Sequence, residues 1–332
     1  ACYNAVSTRI LNMGTGGEGK TMGLAPYGKK YAKKNKFKIK YDLDGIKNDF
    51  SDFMIRMPYS DILNQINPIY RQNTIKINYK KCSNKKQLIN PYFSSIAYEV
   101  QDVTEKTLIH LAKDIYIKTK SKNLCIAGGV GLNSVANKKI LDNTNFKNIF
   151  IFPACSDSGI PFGLAIWGYY NLKELNIKKF NETKFENAYL GNFYHSKQIE
   201  QYLNKYKIKY SKENLFKVAS LISKGKIVGW FQGRSEYGPR SLGNRSILAD
   251  SRKSQMKDIL NKRVKHREAF RPFAPSIMDN FSKKYFDLNC DSPYMLLIAK
   301  VKKKKIIPSV THVDGTARVQ TVSKISNKKF YD

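Results

Sequence analysis

Leu124-Cys125-Ile126-Ala127-Gly128-Gly129-Val130-Gly131-Leu132-Asn133 and, further on, Asn148-Ile149-Phe150-Ile151-Phe152-Pro153-Ala154-Cys155-Ser156-Asp157-Ser158-Gly159 decide the fold class. In each stretch a short apolar run ends in a cluster of small, turn-forming residues, and a helical pattern follows. The first unit predicts a buried strand at Leu124–Ala127, a tight turn at Gly128–Gly131 and a helix from Leu132 to Ile140; the second predicts a strand at Asn148–Phe152 and an apolar helix from Pro161 to about Leu172. Two successive strand-loop-helix units mark an α/β domain, and ligands in such sheets gather beyond the carboxyl ends of the strands. Both loops fall at that edge.

Upstream, Ile96, Val100, Val103, Thr107 and Leu111 recur at helical spacing and Ile115 extends the stripe, predicting one long amphipathic helix with His110 as a seam residue. Residues 30–92 are rich in Lys and Asn and read as irregular α+β structure. Gly14-Thr15-Gly16-Gly17-Glu18-Gly19-Lys20-Thr21 matches the P-loop pattern letter for letter. That pattern needs a strand before it and an unbroken helix after it, and Gly23, Pro26 and Gly28 predict a break within two turns. A glycine-rich loop near a ligand is expected there, not a P-loop. Downstream, residues 176–198 read as a polar connection. Leu215–Ser223 reads as an amphipathic helix with Val218, Leu221 and Ile222 inward, closed by Gly225, and Lys226–Phe231 as a strand opening a second domain.

The chain has 332 residues, 42% of them hydrophobic, which supplies material for two cores and excludes global disorder. The most apolar stretch, Ile149–Tyr170, is interrupted by Asp157 and small polar residues, so no membrane span is expected. Nothing at Ala1 reads as a secretory leader. Five scattered cysteines without a C-x-x-C pair suit a reducing compartment, hence a cytoplasmic location, and four dispersed histidines make no metal site by themselves.

Net charge is +33, from 59 Lys and Arg against 26 Asp and Glu, yet only eleven of the cations are arginines. Lysine is spread everywhere and reads as solvated surface rather than a nucleic-acid footprint. Arginine is concentrated: Arg234, Arg240, Arg245, Arg252, Arg263, Arg267 and Arg271 fall in one segment, among glycines that let backbone amides approach a ligand as well. Planar guanidinium forks suit phosphate and carboxylate. With only Glu236, Asp250, Asp258 and Glu268 as local counter-charges, the segment reads as a site for a multiply charged substrate such as ATP or an acyl phosphate.

Five blocks carry a resemblance across nearly the whole chain. They are Lys20-Thr21-Met22-Gly23-Leu24-Ala25-Pro26-Tyr27-Gly28, Ala127-Gly128-Gly129-Val130-Gly131-Leu132-Asn133, Gly238-Pro239-Arg240-Ser241-Leu242-Gly243-Asn244-Arg245-Ser246-Ile247-Leu248, Phe270-Arg271-Pro272-Phe273-Ala274-Pro275 and His312-Val313-Asp314-Gly315-Thr316-Ala317-Arg318-Val319-Gln320. In this order they resemble the NodU/CmcH carbamoyltransferase family. The resemblance implies an α/β chain made of the C-terminal part of an actin-like (ASKHA, TsaD-related) domain at residues 1–175, a linker at 176–198, and a YrdC-like α+β domain at 199–332. It further implies that carbamoyl phosphate and ATP, with Mg²⁺, yield carbamoyl-adenylate, and that the carbamoyl group passes to a hydroxyl of a small-molecule acceptor.

Carried onto this chain, the resemblance assigns catalysis to Arg240, Arg245, Lys265 and Arg267. It assigns substrate or nucleotide binding to Arg234, Asn244, Arg271, Arg318, Gly128, Gly129, Asn133 and Lys20. Asp157 takes the position of a ligand for a divalent metal, iron or zinc, with a turn or helix-cap role as its alternative; His312 and Asp314 are read as ordering the loop that presents Arg318. Family members open with about half a domain more, including a histidine pair for the metal, and continue past the Arg318 block, so an internal fragment is expected. Gly131 stands where the family usually has alanine. A homodimer is compatible with this reading, and an RNA- or tRNA-associated protein is its alternative from the binding class.

Overall fold

Helix capping shows most directly how this sequence chooses its elements. In the computed structural model, which describes residues 2–34, 81–171, 185 and 187–332, the long helix runs from Pro91 to Thr119. Asn90 accepts a hydrogen bond from the Phe93 amide at 2.9 Å, Pro91 occupies the first turn where its missing N–H costs nothing, and Lys120 closes the helix in the left-handed region. The predicted stripe is buried at Ile96, Val100 and Val103, whereas Ile115 is 44% exposed. Most of the segment expected to be irregular α+β, residues 35–80, lies outside the described residues.

The chain divides into two compact units that interleave in sequence. The first unit comprises residues 1–123, 135–148 and 258–272. Its helices are α1 (Glu18–Gly28), α2 (Pro91–Thr119) and α3 (Ser134–Asn143). Its core joins Val6, Ile10, Leu24, Phe93, Ile96, Val100 and Phe270, all almost fully buried. A polar relay crosses this core: the Tyr3 hydroxyl donates to Gln101, Gln101 donates to Glu105, and Lys139 pairs with Glu105, tying the N-terminal turn, α2 and α3 together.

The helix α1 corrects one expectation. Gly23, Pro26 and Gly28 do not break it; Pro26 lies inside the helix and Gly28 ends it. Tertiary packing overrides local propensity here. Gly28 sits so close to α2 that a Cβ would lie 1.8 Å from the Ser94 carbonyl oxygen, so this is where two backbones meet. A helical turn, Val6–Ile10, and not a strand precedes the glycine segment, so the P-loop context fails on its strand side and not through the helix break that the residues predict.

The second unit comprises residues 124–134, 149–257 and 273–332. It takes in most of β1 (Asn123–Ile126) and β2 (Asn148–Ile151), which pair as a two-stranded sheet, then α4 (Ile160–Asn171), α5 (Ser196–Lys205) and α6 (Leu215–Ser223). The antiparallel pair β3 (Val228–Phe231) and β4 (Arg245–Leu248) follows. Then come β5 (Ser276–Met278), β6 (Phe286–Asp287), β7 (Ile298–Val301), β8 (Thr316–Arg318) and β9 (Gln320–Val322). Strands β6, β7 and β8 form an antiparallel sheet over a core of Phe286, Leu288, Ala299, Val301 and Val319, and β5 pairs in parallel with β9. The protein is mixed α/β, built from helices and small sheets.

Three readings shift in detail. Strand β1 alternates between exposed and half-buried residues and is not buried throughout, because its two-stranded sheet leaves one face uncovered. Helix α4 is where the apolar pattern placed it, yet Leu164 and Trp167 are each 62% exposed. Helix α6 holds its predicted span, with Asn214 capping the Lys217 amide, but Leu221, expected inward, is exposed. Helix α5 starts inside the stretch read as a connection, where Gln198 accepts from the His195 amide at 2.9 Å; residues 172–184 and 186 of that neighbourhood are not described.

Gly28→Ala is expected to destabilise the first unit by about 1–3 kcal/mol through overpacking against Ser94. A lowered urea midpoint with an unchanged slope checks this, and wild-type stability would contradict the close approach.

Candidate functional site

The loop between β3 and β4 carries Arg234, Arg240 and Asn244, Arg245 opens β4, and one carboxylate sets the loop's path. The Glu236 side chain, fully buried, accepts from the amides of Leu242 at 2.7 Å, Asn244 at 2.8 Å and Arg245 at 3.1 Å. Its second oxygen accepts from Arg245 Nε at 2.8 Å, and Arg245 Nη2 donates to the Glu236 carbonyl at 2.7 Å. Burial by itself would raise this carboxyl's pKa; Arg245 and the amides of Leu242 and Asn244 outweigh it and hold the group below the ordinary value of 4.5.

The same loop is fastened to the ends of the α/β strands. The Tyr237 hydroxyl donates to the Ser158 carbonyl, and the Tyr237 ring lies against Phe152 and Phe162. Gly238, at φ +120°, brings its backbone against the loop after β2: a Cβ there would lie 2.9 Å from the Pro153 carbonyl oxygen. Burial pushes the Cys155 thiol's pKa up, while its own backbone and the nearby Arg240 guanidinium pull the other way. Cys155 also packs beneath the glycine turn, since a Cβ on Gly131 would touch its sulfur at 3.0 Å. The two glycine-rich strand ends and the arginine loop, far apart in sequence, therefore meet within one unit.

The predicted residues fall into different situations. Gly128, at φ +88°, opens the exposed turn, with Gly129 beside it, and the Asn133 amide closes the turn on the Val130 carbonyl at 2.9 Å. Arg234 is exposed and donates to the Gly191 carbonyl at 2.9 Å. Arg240 is partly buried; Arg318 ends β8 opposite Ile298. Asp314 accepts from the Thr316 amide and hydroxyl, so it orders the turn ahead of Arg318. The Asn244 carboxamide is buried, donating to the Arg234 carbonyl at 2.7 Å and accepting from Gln232 and Asn327.

Lys20, Lys265, Arg267 and Arg271 belong to the first unit. Lys20 Nζ donates to the Met13 carbonyl at 2.9 Å and pairs with Glu268 at 3.6 Å, while Arg271 approaches the same carboxylate at 3.9 Å. Arg267 donates to Asn261 at 2.7 Å and to the Pro272 carbonyl at 3.3 Å, clamping the turn that carries Phe270. Burial first, and Arg271 second, lower its pKa to about 10, which still leaves it charged at neutral pH. Lys265 is exposed.

The local acids are less idle than the sequence suggested. Glu236 binds Arg245, Asp250 grips Arg252 through three contacts of 2.8–3.1 Å, and Glu268 lies between Lys20 and Arg271. The signal that would have found Glu236 is its place at the head of a glycine-rich turn, where one buried acceptor can collect several amides.

Asp157 is exposed, at the first residue of the turn Asp157–Gly159 ahead of α4. Among the described residues no group of three or more His, Cys, Asp or Glu side chains is placed to hold a metal ion, so Asp157 has no partner ligands there. No helix among them is long and apolar enough to cross a membrane.

A cationic loop seated on the strand ends of a mixed α/β protein is what the geometry defines. Residues 2–166 match the model of the carbamoyltransferase N-terminus and residues 219–332 that of the carbamoyltransferase C-terminus, and the chain belongs to the carbamoyltransferase family. Over 98% of its length it is 33% identical to nodulation protein NolO of Bradyrhizobium diazoefficiens, covering 57% of that protein. It is 36% identical over 95% of its length to an uncharacterized protein of Synechocystis, covering 55% of it. Over 63% of its length it is 35% identical to the 3'-hydroxymethylcephem-O-carbamoyltransferase of Streptomyces clavuligerus, covering 38% of that enzyme. The chain spans about half the length of the first two relatives.

The Glu236 carboxyl couples the stability of this loop to pH. Its pKa is lowered in the folded protein, so its contribution to stability is full above the ordinary value of 4.5 and is lost as pH falls below it. The urea midpoint of the wild type is expected to fall more than that of Glu236→Gln between about pH 5 and about pH 3. Parallel falls would show that Glu236 does not carry this linkage.

Proposed function

We propose that this chain is part of an O-carbamoyltransferase that, with one water, converts carbamoyl phosphate and ATP to carbamoyl-adenylate, phosphate and pyrophosphate, and passes the carbamoyl group to a hydroxyl of a small-molecule acceptor. In transfer, the acceptor oxygen bonds to the carbamoyl carbon, the bond from that carbon to the AMP phosphate oxygen breaks, and the hydroxyl proton leaves. Membership of the carbamoyltransferase family supports the reaction class. One observation carries the site: the Arg240 loop is anchored by Tyr237 and Gly238 to the loop after β2, beside the Gly128–Leu132 turn.

Two parts of the chemistry fall to different groups. Arg234, Arg240 and Arg318 supply forks for the phosphates of carbamoyl phosphate and ATP. Charge developing on the leaving phosphate is neutralised there. The Gly128–Asn133 turn, with no side chains at Gly128 and Gly129, admits the adenylate against backbone. Arg267 and Asn244, engaged in internal hydrogen bonds, hold the turns on which neighbouring cations sit. The actin-like and YrdC-like descriptions of the two modules, and a divalent metal completed by groups other than those described, belong to this same proposal.

With ATP, carbamoyl phosphate and Mg²⁺ supplied, Arg240→Ala is expected to lower AMP release by on the order of a hundredfold, as for loss of one anion-stabilising group. Its circular dichroism should match the wild type. AMP release at the wild-type rate would remove Arg240 from the site.

A further inference from the structure

Arg245 reaches the arginine loop with two of its three guanidinium nitrogens already committed. Nε donates to Glu236 Oε2 at 2.8 Å and Nη2 to the Glu236 carbonyl at 2.7 Å; Nη1 takes part in neither contact, and the side chain is 44% exposed. Glu236 itself is fully buried, and its other oxygen collects the amides of Leu242, Asn244 and Arg245. One carboxylate thus fills the amide nest of the loop with a protein group and simultaneously fixes which edge of Arg245 faces outward. The nest is not a vacant anion hole, because an internal anion occupies it.

We propose that Glu236 is a positioning residue: it holds the Arg245 guanidinium by its inner edge, so that the Nη1 edge is presented to the phosphate of the substrate without a search among rotamers. This rests on the arginine loop being the anion site. A free arginine gives up rotamer entropy when it binds, and fixing the fork beforehand removes part of that cost from binding. Glutamine at 236 separates the two duties. Its carbonyl oxygen can still accept the three amides, but its NH₂ meets Arg245 Nε donor against donor, which leaves the guanidinium held only through Nη2 at the residue 236 carbonyl while keeping the loop.

The test is a double-mutant cycle read by isothermal titration of inorganic phosphate at constant ionic strength, with near-ultraviolet circular dichroism to confirm the fold. Glu236→Gln and Arg245→Lys are each expected to weaken phosphate affinity about tenfold, and the double variant to be no weaker than Arg245→Lys alone, since Glu236 acts through Arg245. A merely structural role would add its effect in the lysine background, and that additivity overturns the proposal, as does unchanged affinity in Glu236→Gln. If Arg245→Lys binds phosphate as the wild type does, the arginine loop as anion site fails first and the proposal with it. Should Glu236→Gln not fold, Glu236→Asp, which keeps the charge and retracts it by one methylene, takes its place in the cycle with the same outcomes.

Discussion

One buried carboxylate organises the surface on which this chain concentrates its arginines. Four hydrogen bonds converge on Glu236 from Leu242, Asn244 and Arg245, and hydrogen bonds to an ionised acceptor are worth about 1.5–3 kcal/mol each. Without them, a turn with Gly238 and Gly243 both at positive φ would have little reason to hold one path. The loop's other fastenings depend on that path: Tyr189 and Gln320 both donate to the Leu242 carbonyl, and Gln232 reaches Gly243, Asn244 and Asn327. The result is a rigid polar layer joining β3, β4 and β9.

Charge is handled by division within this layer. A +33 chain cannot create an anion site merely by adding cations, since self-repulsion opposes the compact state and diffuse lysines attract any anion weakly. Asp250 and Glu236 hold Arg252 and Arg245 in place, and Glu268 does the same in the other unit for Lys20 and Arg271. Such pairs contribute modestly to stability at the surface, but a carboxylate buried against an arginine fixes the guanidinium plane. What looked in sequence like a shortage of acids is a pairing of the few acids present with particular arginines.

Much of this was legible in the residues, and the gaps have physical causes. Helices α2, α4 and α6 follow from periodicity and caps at Asn90 and Asn214, and the glycine turn after β1 follows from its composition. Local signals failed where tertiary contact overrules them. Pro26 and Gly28 read as breakers, but the close approach of α1 to Ser94 selects glycine and holds the helix through the proline. Glu236 read as an ordinary counter-charge because its partners are backbone amides, which leave no trace in side-chain spacing.

The same distinction governs the candidate site. Residue type identified the cations, but type cannot tell a guanidinium turned to solvent from one clamped inside. Arg267 stands among the segment's cations, and its contacts to Asn261 and Pro272 and its lowered pKa of about 10 show a half-buried side chain that also braces its own turn. Asn244 is likewise consumed by its neighbours. A motif therefore mixes residues that meet the ligand with residues that hold those in position, and it is the geometry around each polar atom, rather than membership of the motif, that separates the two. By that criterion Arg245 belongs to both groups: Glu236 holds its inner edge and leaves the outer edge uncovered.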